Sequence, residues 1–339
     1  MTFTRDTLIR SAWAALAALC LVAVDARDVA AQAVMKIGSA TINDTQHHWM
    51  NLLQEAMARR AGSRLKVEVY PASQLGSIPR QVEGVQLGTI EAFNGPPDFY
   101  VGVDPRYMVL GAPGLFNDLD HAFRTVQDAE FFQHYMSIGD SKNIKGIGIF
   151  CADYAAVLAR TPFRTMADFQ GKKIRTFASR IETETLNRLG ATASPMPISE
   201  VIPALQTGAL DAVKSGMNIY VPFKFWSVAK YITKTNEVVV CPVTIVSKPW
   251  FDALPRDLQD MILEEARIAD RKTQVFSHEF LAKNYQAWTD NGGELLDFAP
   301  AERAAFRDKL ASVGDFVVKD LAPVKETYDL LKRVAARNK

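Results

Sequence analysis

Apolar and polar residues alternate with a period of two over residues 35–40 and again over 65–70, the spacing of half-buried strands. Between them Trp49, Leu53 and Met57 recur at helical spacing up to Arg60, behind Asp44 or Thr45, either of which can cap the helix. Ile78, Val82, Val85 and Leu87 mark a second helix between Ser77 and Gly88. A short strand over 91–95 breaks at Gly95-Pro96-Pro97, residues 121–135 read as helix, and 144–150 as another strand. Strands alternating with helices predict an α/β domain with a largely parallel sheet.

A second α/β unit follows. Residues 168–211 place Arg175 at the end of a short strand-like run, then a helix with Ile181, Thr185, Leu186 and Leu189 on one face and Gly190 at its stop. Ser199 is the N-cap candidate of the next helix, with Ile202, Leu205 and Gln206 behind it and Gly208 at its end. Residues 238–246 read as a strand that returns to the first unit. The helical pattern from 256 to 291 would span about 54 Å at 1.5 Å per residue, longer than one small domain, so it is predicted to back both lobes. Residues 301–313 and 316–337 are also helical. The last carries an apolar row at Val317, Leu321, Val324, Tyr328 and Leu331 that packs on its own lobes or on a second copy, which leaves the oligomeric state open. The expected division is lobe I over 34–152 and 241–283 and lobe II over 153–240 and 284–339. Several crossings between lobes confine motion to opening and closing.

Composition changes this picture at one end only. The chain of 339 residues is 48% apolar and 23% charged, ordinary for a globular protein. Residues 1–33 differ: Arg5 and Arg10 precede an apolar run over 11–24, and Ala30, Ala31 and Ala33 suit cleavage after Ala31 or Ala33. The run is too short for a membrane span. Asp25-Ala26-Arg27-Asp28 argues against a buried helix, and Leu19 before Cys20 against a lipid anchor. We read a secretory signal peptide over 1–33 and an extracytoplasmic, periplasmic location. Removing it takes three cations and three anions, so the net charge stays at +1, and no nucleic-acid partner is expected. Cys151 and Cys241 remain. Each follows an apolar run, and we read them as unpaired strand-end thiols, with pairing in an oxidising compartment as the alternative.

Arg175 is the leading candidate for function. A guanidinium is a planar fork that matches a carboxylate bidentately, and it stands where strand meets loop, the place where α/β folds put ligand groups. A structural ion pair with Glu182 or Glu184 is the competing reading. His47-His48 point to different helix faces with no acidic cluster beside them, so no metal or other cofactor is expected. Nucleophile elbow, P-loop, dinucleotide fingerprint and zinc motif are all missing, and no catalytic residue is assigned.

The stretches DFQGKKIR ending at Arg175, LGATASPMPISEVIPALQTGALD ending at Asp211, and YPASQLGSIPRQVEGVQLGTIE ending at Glu91 resemble the solute-binding receptors of TRAP transporters, the tripartite ATP-independent periplasmic systems. The resemblance runs from about Met35 to near the C-terminus. It implies a periplasmic-binding-protein fold and a non-enzymatic receptor for an organic carboxylate. It further implies two membrane subunits, small and large, as partners, driven by an ion gradient. It also implies that Arg175 holds the ligand's carboxylate and that Ser215 hydrogen-bonds the ligand. Ala212 and Lys214 depart from the Gly and acidic residue usual beside that serine. Many relatives carry a second arginine upstream, where this chain has Asp153-Tyr154-Ala155; its loss argues against a second ligand carboxylate, because an unpaired buried anion is costly. By family position Tyr154, Phe177, Ile198, Phe93, Asn94, Gly95, His48 and Tyr220 are expected to line the site, with Trp49 and Phe223 nearby. Such walls suit a monocarboxylate, aromatic or aliphatic. The alternatives are a dicarboxylate or sugar acid, a ligand sensor feeding a signalling receptor, and a secreted hydrolase or lyase.

Overall fold

The computed structural model describes residues 32–339, so the expected leader, up to residue 31 and including Cys20, lies outside the described residues. The first strands are β1 (Ala33–Gly38), β2 (Leu65–Tyr70), β3 (Ala92–Gly95) and β4 (Ile144–Ile149). Then come β5 (Asp153–Tyr154), β6 (Ala156–Ala159), β7 (Lys173–Thr176), β8 (Thr192–Pro195), β9 (Ala212–Ser215) and β10 (Tyr231–Thr233). The chain returns through β11 (Val239–Val240) and β12 (Val243–Ser247), and β13 (Glu294–Leu296) closes the series. Five strands form the first sheet in the order β2-β1-β3-β12-β4, and six form the second in the order β13-β10-β6-β9-β7-β8.

Each sheet is parallel except for one strand. β12 runs antiparallel to β3 and β4, and β6 runs antiparallel to β9 and β10. These are the strands by which the chain arrives from the other lobe. It enters at the cleft, so its first strand leads away from the cleft, while the parallel strands end there. The carboxyl ends of β1, β3, β7 and β9 therefore meet in one crevice, the site rule for open α/β sheets. The expectation of a largely parallel sheet holds with that inserted strand added.

The two crossings pair with each other. β5 and β11 form a small antiparallel ribbon, extended by bonds from Ala152 N to Val240 O (2.9 Å) and from Ala155 N to Val238 O (2.8 Å). The ribbon places Cys151 and Cys241 side by side, Cα atoms 4.1 Å apart, and they form a disulfide. That corrects the reading of two free thiols: the pairing register of strands 90 residues apart in sequence was not visible in their spacing. Closing so long a loop constrains the unfolded chain, so Cys151→Ser/Cys241→Ser should cost about 2–4 kcal/mol. Urea unfolding of the variant and of the reduced wild type would show it; an unchanged midpoint in both would remove the disulfide from the stability argument.

The helix Arg256–Asp290 bridges the lobes as expected. At one end Trp49 Nε1 donates to Asp270 Oδ1 (2.8 Å) and Arg60 pairs with Glu265 (2.6 Å). At the other, Trp288 packs beside Tyr220, with centroids 6.5 Å apart. Helix Ala322–Arg337 packs against Leu119–Gln127, Ala129–Met136 and the 3-10 turn Pro105–Gly111. His121 contacts Ala335 O (2.8 Å) and Arg337 pairs with Glu130 (2.8 Å). The expected placement of 284–339 as one block on lobe II thus needs correction, because the final helix returns to the first lobe. Of its apolar row, Val317, Val324, Tyr328 and Leu331 are buried within this chain, Leu331 fully, and Leu321 is half-buried. Two smaller differences have local causes. Asp128 splits the helix expected over 121–135, and Ser199 falls inside a 3-10 turn, Ile198–Glu200, so that Glu200 precedes the helix Val201–Thr207.

Candidate functional site

Arg175 stands on β7, whose carboxyl end opens on the crevice, and is 1% exposed. Its Nε donates to Met196 O (3.0 Å) and its Nη1 to Lys214 O (3.1 Å), so two main-chain carbonyls fix the plane of the guanidinium. Phe177, two residues on, covers it with the ring centroid 4.9 Å from Cζ. Burial lowers its pKa to about 10, partly offset by Tyr220 and Glu182, so it stays cationic at neutral pH. Among the described residues no carboxylate forms a salt bridge with it. Glu184 pairs with Arg188 (3.0 Å) and Glu182 with Lys214 (2.9 Å), which dissolves the ion-pair reading of Arg175.

The guanidinium faces a narrow cavity built by both lobes. Ala40, Thr41, Asp44, Thr45, Gln46, Ile78, Pro96 and Phe99 come from the first lobe. Ala152, Asp153, Val240 and Pro242 come from the hinge, and Phe177, Ile198, Ser215, Gly216, Asn218 and Ile219 from the second lobe. The lobes touch over it: Asn218 Nδ2 lies 3.5 Å from Thr45 Oγ1, and the Phe99 and Phe177 rings meet edge-on at 6.1 Å. Apart from Arg175 the lining holds no cationic side chain, and Asp44 and Asp153 are in it.

Those two carboxyls serve the scaffold. Asp44 caps helix Thr45–Arg60 through His47 N (3.0 Å), as its position predicted, and burial pushes its pKa up against the hydrogen bonds from Thr41, His47 and Gln46. Asp153 accepts from Asn218 N (2.8 Å) and Tyr154 N (2.7 Å), pinning the turn that follows Ser215 to the hinge; burial pushes it up to about 7. Behind Arg175, fully buried Lys214 pairs with Glu182 and with Glu237 (3.0 Å). Asp98, from the turn after β3, is pushed up to about 7 by burial and then by the charge of Glu182.

Of the ten residues expected in the site, the structure brings Arg175, Ser215, Phe177 and Ile198 together. The other six stand outside the cavity lining. Tyr154 turns away, its hydroxyl accepting from Leu119 N (3.0 Å), and lines a separate depression with Asn117 and Arg307. Phe93, Asn94 and Gly95 lie in a strand buried on both faces; Asn94 Nδ2 donates to Thr244 Oγ1 (2.7 Å), and Pro96 and Phe99 just beyond reach the cavity instead. His48 stacks on Phe276 at 4.0 Å. Tyr220 is a buried prop, its hydroxyl within 2.9 Å of Ala156 O and 2.7 Å of Val213 O. The first-lobe wall at Thr41 and Gln46 went unread, although the loop after β1 is a strand end of the kind that carries sites.

Comparison with known proteins agrees with this geometry. The family model for bacterial extracellular solute-binding protein, family 7 (DctP), matches residues 38–320. The 2,3-diketo-L-gulonate-binding periplasmic protein of Escherichia coli is 28% identical over 328 residues, covering 96% of this chain and 98% of its own. The C4-dicarboxylate-binding periplasmic protein of Rhodobacter capsulatus is 28% identical over 290 residues, 84% of this chain and 85% of its own. Among solved structures, a TRAP periplasmic solute-binding protein from Desulfovibrio salexigens with bound orotic acid superposes with a TM-score of 0.86 at 22% identity, covering 91% of this chain and 100% of its own. One from Shewanella oneidensis with bound succinate gives 0.84 at 24% identity, with 91% and 100% covered.

Proposed function

The chain belongs to bacterial extracellular solute-binding protein family 7, the receptors of TRAP transporters, and on that premise we propose that it captures an organic monocarboxylate in the periplasm and presents it to membrane subunits. Members of this family bind organic acids, carry out no chemistry on them, and work with membrane subunits. The observation that carries the finer reading is a buried guanidinium, oriented by two carbonyls and left without a carboxylate partner, facing a cavity that both lobes enclose. A carboxylate arriving there completes a bidentate pair, and closure strengthens it by excluding water. The lobe contact between Asn218 and Thr45 is then part of what holds the closed form that the membrane partner reads.

A single carboxylate suits the charge of the lining. Arg175 is its one cation among the described residues, and a second ligand carboxylate would be buried near Asp44 and Asp153 with nothing to pair with. Around the guanidinium the walls are Phe99, Phe177, Ile198, Ile219 and Val240, which accept an apolar body. A thermal-shift screen of residues 34–339 against mono- and dicarboxylates with aromatic and aliphatic bodies tests this. A ligand at a hundred times its Kd stabilises by about 2.7 kcal/mol. Monocarboxylates should raise Tm and matched dicarboxylates should not; the reverse order overturns the monocarboxylate reading and leaves the family intact.

A further inference from the structure

We propose that Gln46 Oε1 is a specificity element: the acid carried by this receptor has, besides its carboxylate, a hydrogen-bond donor such as a hydroxyl on the part that faces the first lobe. This rests on the reading of the cleft as a carboxylate site.

Gln46 sits in the first turn of helix Thr45–Arg60, is 4% exposed and lines the cavity. Its Nε2 lies 3.1 Å from Thr41 Oγ1 and 3.3 Å from Asp44 Oδ2. The orientation of the amide follows from its neighbours. Asp44 Oδ2 accepts the hydroxyl proton of Thr41 (2.6 Å) and Oδ1 accepts His47 N (3.0 Å), so both oxygens act as acceptors. Thr41 has spent its only proton and offers a lone pair. Turned over, the amide would set Oε1 against two acceptors, so Nε2 faces Asp44 and Thr41, and Oε1 is the atom left over. It has no protein partner although it is buried.

A buried acceptor without a donor is disfavoured, and the two nitrogen donors that line the cavity beside Gln46 are held on the second lobe and the hinge. Asn218 Nδ2 is held by Ala152 O (2.8 Å), and Arg175 is fixed on the second lobe. A donor carried by the ligand would satisfy Gln46 Oε1, which no protein donor reaches. Carboxylate to the second lobe and donor to the first make one molecule bridge both, which ties closure to the correct ligand. An acid that lacks the donor would close the cleft with Gln46 Oε1 unpaired.

Isothermal titration of matched acids tests this directly: mandelate against phenylacetate, 3-hydroxybutyrate against butyrate, and malate against succinate. The hydroxylated member of the binding pair should bind about 10- to 100-fold more tightly to the wild type, the span of one buried hydrogen bond left unmade. In Gln46→Met, checked for fold by circular dichroism, that ratio should fall to about one. Equal affinities in the wild type, or a ratio that survives in Gln46→Met, overturn the proposal. The wild-type comparison needs no variant to fold. Failure of the monocarboxylate reading shows separately, as binding by malate and succinate only, and the ratio within that pair still decides the role of Gln46.

Discussion

Arg175→Ala is expected to weaken the best-bound monocarboxylate by about 3 kcal/mol or more, over a hundredfold in Kd, while the protein stays folded. The two expectations come from the same burial. The guanidinium is 1% exposed and has no carboxylate partner among the described residues, and burial works against its charge, lowering its pKa to about 10. Its hydrogen bonds to Met196 O and Lys214 O are the only bonds it makes to the protein among the described residues. Removing it relieves an uncompensated ion, so the Tm of the ligand-free variant should equal that of the wild type or exceed it. With ligand the balance inverts, because the carboxylate then buries its own charge against an apolar wall. Arg175→Lys should fall between the two: a point charge cannot hold both carbonyls and present a fork to the ligand. Calorimetry of binding together with differential scanning of the free proteins reads both halves. A well-folded Arg175→Ala that binds as the wild type does would falsify the assignment.

How much of this was legible in the sequence depends on whether a residue's role is set locally or by register. Arg175 was legible because a short strand ending in a cation before a loop puts that cation at the carboxyl edge of a sheet, whatever the sheet's other members. Asp44 was legible for a similar reason: a helix cap is a contact between near neighbours in the chain. The misplaced wall residues missed by one to three positions. Asp153 lines the cavity where Tyr154 was expected, and adjacent strand residues face opposite sides. Asn218 and Ile219 line it where Tyr220 was expected, and Gln46 where His48 was, each a fraction of a helical turn away. Pro96 replaces Gly95 because β3 is central and covered on both faces, so only the residues beyond its end reach the crevice. The disulfide and the return of the last helix to the first lobe depend on which distant segments pair. Periodicity says that a face is apolar; it does not say against what it packs.

Lys214 carries the largest effect expected on stability. It replaces the acidic residue that the family resemblance led us to expect, and the structure explains how a cation is tolerated there: its ammonium is 1% exposed and held between Glu182 and Glu237. Burial alone would lower its pKa, but the two carboxylates outweigh that and raise it. Lys214→Met leaves two buried carboxylates without a cation, beside Asp98, and breaking a buried ion group in this way costs about 3–5 kcal/mol. The loss should depend on pH, and its sign follows from linkage. Without Lys214 the cluster holds buried carboxylates that no cation pairs, and burial favours the neutral acid. A raised carboxyl pKa gives stability that is present below the unfolded pKa and lost as pH climbs through the folded one. The deficit against the wild type is therefore greatest at pH 7–8 and shrinks towards pH 5. Urea unfolding at both pH values measures it, and an equal penalty at each would mean that lost packing, not stranded charge, is the cause. Adding Glu182→Gln and Glu237→Gln to Lys214→Met should recover much of the loss, because a neutral cluster no longer needs its cation. The same variant bears on binding. Lys214 O is one of the two carbonyls that orient Arg175, so any shift of β9 as the cluster relaxes turns the guanidinium away from its ligand and lowers affinity together with stability.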